Sequence, residues 1–259
     1  MISVIMVYHK QKKYVEEAIN SVLAQTYKNF ELLLLNAGNN DFDFIEDIAK
    51  KDKRIKHVEV KPLGSTFART EGVKLSDREY IVFLDPDDKI EPQFLKETYK
   101  ELSKRNKYGF CYTDSIFFSE TQSRRMIQPD YNFFNLINQN YICNCSLIRK
   151  NYWLDAGGYN LNNRNYFEDY EGWIRLGRKG FYGYHIPEPL FLYREHKESM
   201  TSKTSDFGGI YKSFIIRWYP ELYPPHLQDV VNKTLKNIPN NFMSLTPEKQ
   251  EEIIGLNNA

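Results

Sequence analysis

With 259 residues and 41% hydrophobic side chains, the chain is long enough for one large globular domain or two closely merged halves. Its 35 basic and 34 acidic residues nearly cancel, which excludes broad electrostatic attraction to nucleic acid and leaves binding to local sites. Three cysteines are too few for a disulfide framework, no apolar run approaches the roughly 20 residues a bilayer requires, and no signal-peptide pattern precedes the first strand, so a cytoplasmic location with at most peripheral membrane contact is expected.

The apolar run 2–8 predicts a strand, and Val15, Ala18, Ile19, Val22 and Leu23 recur at the spacing of one helical face. A second strand is expected at 30–35, then a turn over Asn36-Ala37-Gly38-Asn39-Asn40 and a helical face through Phe44, Ile45, Ile48 and Ala49. Residues 55–60 read as a third strand, the segment after Gly64 through Leu75 as a helix, and Tyr80 to Leu84 as a fourth strand. Continuous apolar strands separated by helices imply a mostly parallel sheet with right-handed crossovers. Beyond residue 106 the pattern is less regular. Strands are expected at 108–112, 115–118 and 142–148 around a polar, aromatic stretch 131–141, with an irregular Asn-rich loop at 160–165. Beyond Met200, helical faces run through Ile210, Phe214, Ile215 and Trp218 and over 227–235.

The fourth strand runs straight into Asp85-Pro86-Asp87-Asp88. Open α/β sheets bind ligands at the carboxyl ends of their strands. Two carboxylates spaced by a stiff proline can share a hard cation, Mg²⁺ or Mn²⁺, that brings phosphate oxygens with it, so a diphosphate ligand is the first suspicion. The ordinary alternative is an acidic turn before a helix starting near Glu91-Pro92.

The order and spacing of motifs over about residues 1–200 resembles the family 2 glycosyltransferases of the GT-A fold. The segment Ser21-Val22-Leu23-Ala24-Gln25-Thr26-Tyr27, then Phe30-Glu31-Leu32, then Gly64, Ala68, Arg69 and Gly72, lead to the acids. Gly157-Gly158-Tyr159, Glu168-Asp169-Tyr170-Glu171-Gly172-Trp173-Ile174-Arg175 and Tyr193-Arg194-Glu195-His196 follow in register. The resemblance implies an α/β, Rossmann-like, mostly parallel sheet flanked by helices. It divides 1–200 into a nucleotide-binding half (1–105) and an acceptor-binding half (106–200), with a small helical C-terminal extension (201–259).

The implied activity moves a sugar from a nucleotide-sugar donor (UDP-, dTDP- or GDP-linked) to a hydroxyl of a glycan, lipid-linked saccharide or protein, with inversion and with Mn²⁺ or Mg²⁺ as cofactor. By the same resemblance Asp87 is the first metal ligand, Asp85 contacts the ribose or the metal, Asp88 assists, and His196 completes the metal site or touches the diphosphate. Arg69 is a candidate contact to the nucleotide or its phosphates through its fork of donors; the plain alternative is a helix surface charge. Asp169 is implied as the general base, with Glu168 as the neighbour that could replace it. From composition alone these two acids are ordinary first-turn helix charges. Trp173 reads as core before it reads as a sugar platform.

Two departures from the family pattern stand out. The usual Asp-Asp-Gly-Ser after the second strand is Asn36-Ala37-Gly38-Asn39, so the carboxylate that reads the base is missing; Asn36 offers an amide edge, and Asp41 or Asp43 lie at the wrong spacing. At the first strand's end Tyr8-His9 replaces the Tyr-Asn pair, leaving both residues as donor-site candidates. Cys143 and Cys145, with Cys111, read as buried structural cysteines rather than a zinc site, which wants four ligands. The basic clusters 50–54 and 124–125 read as solvated faces or as contacts to anionic lipid. A second hypothesis is a degenerate domain of the same fold that binds without transferring; a third, nucleotidyl transfer, has no use for Asp169.

Overall fold

The computed structural model describes residues 1–8, 12–38, 43–163, 167–196, 208–245, 249–250 and 252–253, without the side chains of residues 12, 43 and 44. The first half alternates as the hydrophobic pattern predicts: β1 (Ile2–Tyr8), α1 (Lys12–Leu23), β2 (Phe30–Asn36), α2 (Asp43–Lys51), β3 (Ile55–Glu59), α3 (Ser65–Leu75) and β4 (Tyr80–Phe83). These four strands pair in parallel in the order β3-β2-β1-β4. Ile2, Val4, Leu32 and Leu34 pack into one core cluster while Ile5, Leu33, Leu35 and Phe83 pack into another. Burial on both faces is why β1, β2 and β4 read as unbroken apolar runs, unlike the edge strand β3. Gly72 lets α3 lie close on the sheet: a Cβ there would come within 2.6 Å of Ile5 Cγ2.

The second half is β5 (Lys89–Ile90), α4 (Phe94–Ser103), β6 (Tyr108–Phe118), β7 (Ser123–Met126), α5 (Phe133–Asn138), β8 (Leu147–Arg149), α6 (Lys150–Asp155), α7 (Glu168–Arg178) and β9 (Tyr182–Arg194). The sheet continues β4-β8-β6-β9-β5, with β8 antiparallel to β4 and β6, β9 parallel to β6, and β5 antiparallel to β9. A hairpin attaches β7 to β6.

Several boundaries differ from expectation. The strands expected at 108–112 and 115–118 are one strand, because Asp114, which reads as a turn residue, is fully buried and paired with Arg125 at 2.7 Å and His185 at 2.9 Å. The strand expected at 142–148 is only the short β8, and the stretch 131–141 contains α5. Long β9 carries Pro187 and Pro189, residues that argue against a strand interior; the β6·β9 register shifts between Thr113 and Ser115 to accommodate them. The helix expected near Glu91-Pro92 starts at Phe94, after β5.

Beyond residue 207 come α8 (Gly208–Trp218) and α9 (Leu227–Thr234). Tyr211, Phe214 and Ile215 of α8 join the same buried cluster as Trp173, Phe110 and Ile137. Among the described residues no helix is long and apolar enough to cross a membrane.

Candidate active site

β4 delivers the acidic turn to the carboxyl edge of the sheet: Leu84 N–H still bonds to Ile5 O at 3.1 Å, and Asp88 N–H then turns back to Asp85 O at 3.1 Å. Asp88 is buried and its carboxylate accepts from Arg194 N–H at 2.8 Å, so it anchors the turn. Burial, then Asp87 and Asp85, push the Asp88 carboxyl well above its usual range. Asp87 is raised too, first by burial and then by Asp85.

His196 reaches this turn because β5 pairs with the end of β9, Lys89 beside Leu192 and Ile90 beside Phe191. Its Nε2 lies 2.9 Å from Asp87 Oδ2, and its ring lies 5.3 Å from the Tyr14 ring. Arg194 locks the arrangement, donating from Nε to the Asp87 carbonyl at 2.7 Å and from its terminal nitrogen to Glu17 at 2.8 Å. The motif around Tyr193-Arg194-Glu195-His196 contained that arginine, but only the fold reveals what it holds.

Among the described residues no three His, Cys, Asp or Glu side chains are gathered closely enough to hold a metal ion unaided. The donor chemistry nevertheless fits a hard divalent cation. Asp87 and His196 face each other, and Asp85 is near enough to Asp87 for the two negative charges to repel. Mg²⁺ sites commonly use one or two carboxylates and leave the remaining positions to phosphate and water.

Arg69, on α3, is buried. One terminal nitrogen donates to Asp85 Oδ1 at 2.5 Å, the other to Glu168 Oε1 at 2.7 Å, and the Tyr159 ring lies 5.9 Å away. Burial opposes its charge, but the attraction of Asp85 and Glu168 outweighs it and holds the guanidinium protonated. Its donors are thus engaged by protein carboxylates rather than turned wholly to a ligand.

Glu168 and Asp169 open α7, after Phe167 in the left-handed conformation (φ 55, ψ 19). Glu168 is committed to Arg69. Asp169 accepts instead from Tyr170 N–H at 2.7 Å and from Asn140 Nδ2 at 3.4 Å. Burial, and then the neighbouring Glu168, push the Asp169 carboxyl up to about 7. Asn140 carried no recognisable signal; it contacts the acid only because α5 packs beside α7.

At the other end of the edge, Tyr8, Asn36 and Glu59 form one row across β1, β2 and β3. Asn36 is buried and donates to Glu59 Oε1 at 2.7 Å, while the Tyr8 hydroxyl bonds to His57 Nε2 at 2.5 Å. A carboxylate therefore does stand beside Asn36, supplied by β3, where local sequence gave no hint of it. His9 and Asp41 lie outside the described residues, as does the side chain of Asp43. Trp173 is core: it is buried, stacks on Phe110 at 4.7 Å and donates to Ile142 O at 3.2 Å. Cys111 and Cys145 are buried, and Cys143 Sγ sits 3.6 Å from Ser115 Oγ.

Residues 3–170 match the family described as Glycosyl transferase family 2. An uncharacterized glycosyltransferase of Haemophilus influenzae is 28% identical over 222 residues, covering 78% of this chain and 68% of that protein. The putative teichuronic acid biosynthesis glycosyltransferase TuaG of Bacillus subtilis is 25% identical over 211 residues, covering 78% and 82%. An uncharacterized glycosyltransferase of Rickettsia conorii is 40% identical over 123 residues, but the match spans 41% of this chain and only 20% of that longer protein. Among solved structures, S. aureus TarS 1-349 in complex with UDP-GlcNAc has a TM-score of 0.67 at 14% identity, covering 98% of this chain and 78% of that one. That likeness shows a shared fold.

Proposed function

The chain belongs to glycosyl transferase family 2, and from that premise we propose that it is an inverting, metal-dependent enzyme that moves a sugar from a nucleotide-sugar donor to a hydroxyl of a glycan, lipid-linked saccharide or protein. The observation that carries this reading is the ion-paired bridge Asp85–Arg69–Glu168, which joins the acidic turn holding Asp87 at the end of β4 to the start of α7, where Asp169 follows Glu168. The solved TarS complexes with UDP-GlcNAc and UDP favour a uridine diphosphate donor, and the TuaG match favours a cell-envelope polysaccharide as acceptor.

In this reading Asp169 removes the proton of the acceptor hydroxyl as that oxygen attacks the anomeric carbon from the face opposite the diphosphate. The carbon–oxygen bond to phosphate breaks, its electron pair leaves with the diphosphate, and the configuration inverts. A carboxyl raised to about 7 is close to the working pH, where a general base is most effective. Glu168 is the weaker candidate for the base because Arg69 already engages it. Asp85, Asp87 and His196 would hold Mn²⁺ or Mg²⁺, which supplies charge neutralisation of the departing diphosphate. Arg69 keeps Asp85 and Glu168 at fixed separation. Cysteine usage is the basis for expecting the reaction in the cytoplasm or at the cytoplasmic face of a membrane.

Calorimetric titration with UDP, GDP, dTDP and CMP, with and without Mn²⁺, tests the reading. Metal-dependent binding of one nucleotide is expected, followed by release of that nucleotide from its sugar conjugates. A folded protein that binds none of them would instead be a non-transferring domain of the same fold.

A further inference from the structure

Helix α8 carries a half-buried lysine that the reaction proposed above does not use. Lys212 Nζ donates to the carbonyl of Ile137, to the Tyr170 hydroxyl at 2.6 Å and, more weakly, to the Tyr223 hydroxyl at 3.4 Å. Both phenols donate to the same carbonyl, Tyr170 at 2.9 Å and Tyr223 at 2.7 Å. Among the described residues no carboxylate lies within ion-pair distance of Lys212, and burial pushes its ammonium down to about 8. A half-buried ammonium whose described partners are neutral oxygens loses part of its hydration without gaining an ion pair, so the geometry it holds calls for an account.

What the node holds supplies that account. Ile137 lies in the last turn of α5, and three residues later Asn140 donates to Asp169 Oδ2. Tyr170 follows Asp169 on α7, and its backbone N–H donates to Asp169 Oδ1. Both donors to the Asp169 carboxylate therefore stand on segments that Lys212 ties together. Further ties run from the same C-terminal segment to α7 and the residue before it: the Tyr219 hydroxyl donates to Glu171, and the Tyr211 ring lies 5.3 Å from the Phe167 ring. A charged donor bonds a carbonyl more strongly than a neutral one, and a buried, satisfied polar node fixes geometry more sharply than apolar packing does.

We propose that Lys212, through the Ile137 carbonyl and the Tyr170 hydroxyl, is a positioning residue that aims the Asp169 carboxylate, so that α8 serves as a buttress for the catalytic helix. The inference rests on Asp169 being the general base.

The test follows the Asp169 carboxyl directly. Its ¹³C resonance, identified by its absence in Asp169→Asn, is titrated by NMR in the parent protein and in Lys212→Met and Tyr223→Phe. Glu168 and Arg69, the charged groups that act on Asp169, stay intact in both variants. The Tyr170 and Asn140 hydrogen bonds favour the charged form, so a loosened node raises the midpoint, by about half a unit or more in Lys212→Met. In parallel, release of UDP from a UDP-sugar is expected to fall by about tenfold in kcat, with the Kd for UDP unchanged, and Lys212→Arg is expected to regain most of it.

An unchanged midpoint with unchanged kcat would overturn the proposal, as would a kcat loss matched by an equal loss of UDP affinity. If Lys212→Met does not fold by circular dichroism, Tyr223→Phe carries the same test. Full turnover by Asp169→Asn would instead overturn the base reading, while the titration still reports whether Lys212 positions the carboxylate.

Discussion

Asp85 and Glu168, from opposite halves of the chain, are gripped by the two terminal nitrogens of one buried guanidinium, at 2.5 and 2.7 Å. Removing Arg69 leaves the largely buried Glu168 carboxylate and the partly exposed Asp85 without the cation between them. Arg69→Met is expected to lower stability by about 2–4 kcal/mol, since breaking a buried pair costs more than the pair is worth, with the partial exposure of Asp85 softening the loss. Urea unfolding monitored by tryptophan fluorescence measures it; a loss below about 0.5 kcal/mol would mean that water replaces the guanidinium at both acids.

Transfer should depend on pH through Asp169. The proposed base works deprotonated, and burial and Glu168 push its carboxyl up to about 7, so kcat should rise through that pH and level off above it, with the acid limb absent in Asp169→Asn. That variant should lose about a hundredfold or more of turnover while UDP affinity stays unchanged. A kcat flat from pH 5.5 to 8.5 in the parent protein would assign the base elsewhere.

The same carboxyl should cost stability. A folded-state value raised above the unfolded value of about 3.9 means the native protein binds the proton more tightly, so its contribution is favourable at low pH and lost as pH rises toward about 7. Asp169→Asn, neutral at every pH, should therefore be more stable than the parent at pH 8, by about 1–3 kcal/mol. Thermal melts at pH 5 and pH 8 compare the two, and the gap should widen with pH.

Asp87→Ala should abolish metal-dependent nucleotide binding and leave the fold intact. Asp87 is partly exposed and, among the described residues, its side chain bonds His196, whereas buried Asp88 pins the backbone of Arg194. Calorimetry with UDP and Mn²⁺ should show at least a tenfold weaker Kd, worth about 1.4 kcal/mol. Asp88→Ala should instead lower the melting temperature, separating the ligand from the anchor within one turn.

The parallel half of the sheet was legible because its strands are buried on both faces, which writes an apolar run into the sequence for β1, β2 and β4. β9 was not, because its prolines are tolerated only where the β6·β9 register slips. Asp114 broke β6 into two on paper because its compensating partners, Arg125 and His185, are distant in sequence or sit on another strand. The site followed the same division. Asp85, Asp87, Asp169 and His196 announced themselves as motif residues at strand and helix ends. Their partners Arg194 and Asn140, and the Glu59 carboxylate beside Asn36, depend on which elements lie side by side, and no local pattern encodes that.

The pairing of β5 with the end of β9 also sets a schedule. Asp87 and His196 are 109 residues apart, so at ribosomal rates of about 5–20 residues per second the acidic turn emerges several seconds before the histidine that faces it. Until β9 docks, Asp88 lacks its backbone anchor and Asp87 its imidazole. The nascent chain thus passes through an interval in which the acidic turn has been synthesised but its partners Arg194 and His196 have not, and the turn gains its full set of contacts only after the last strand of the sheet.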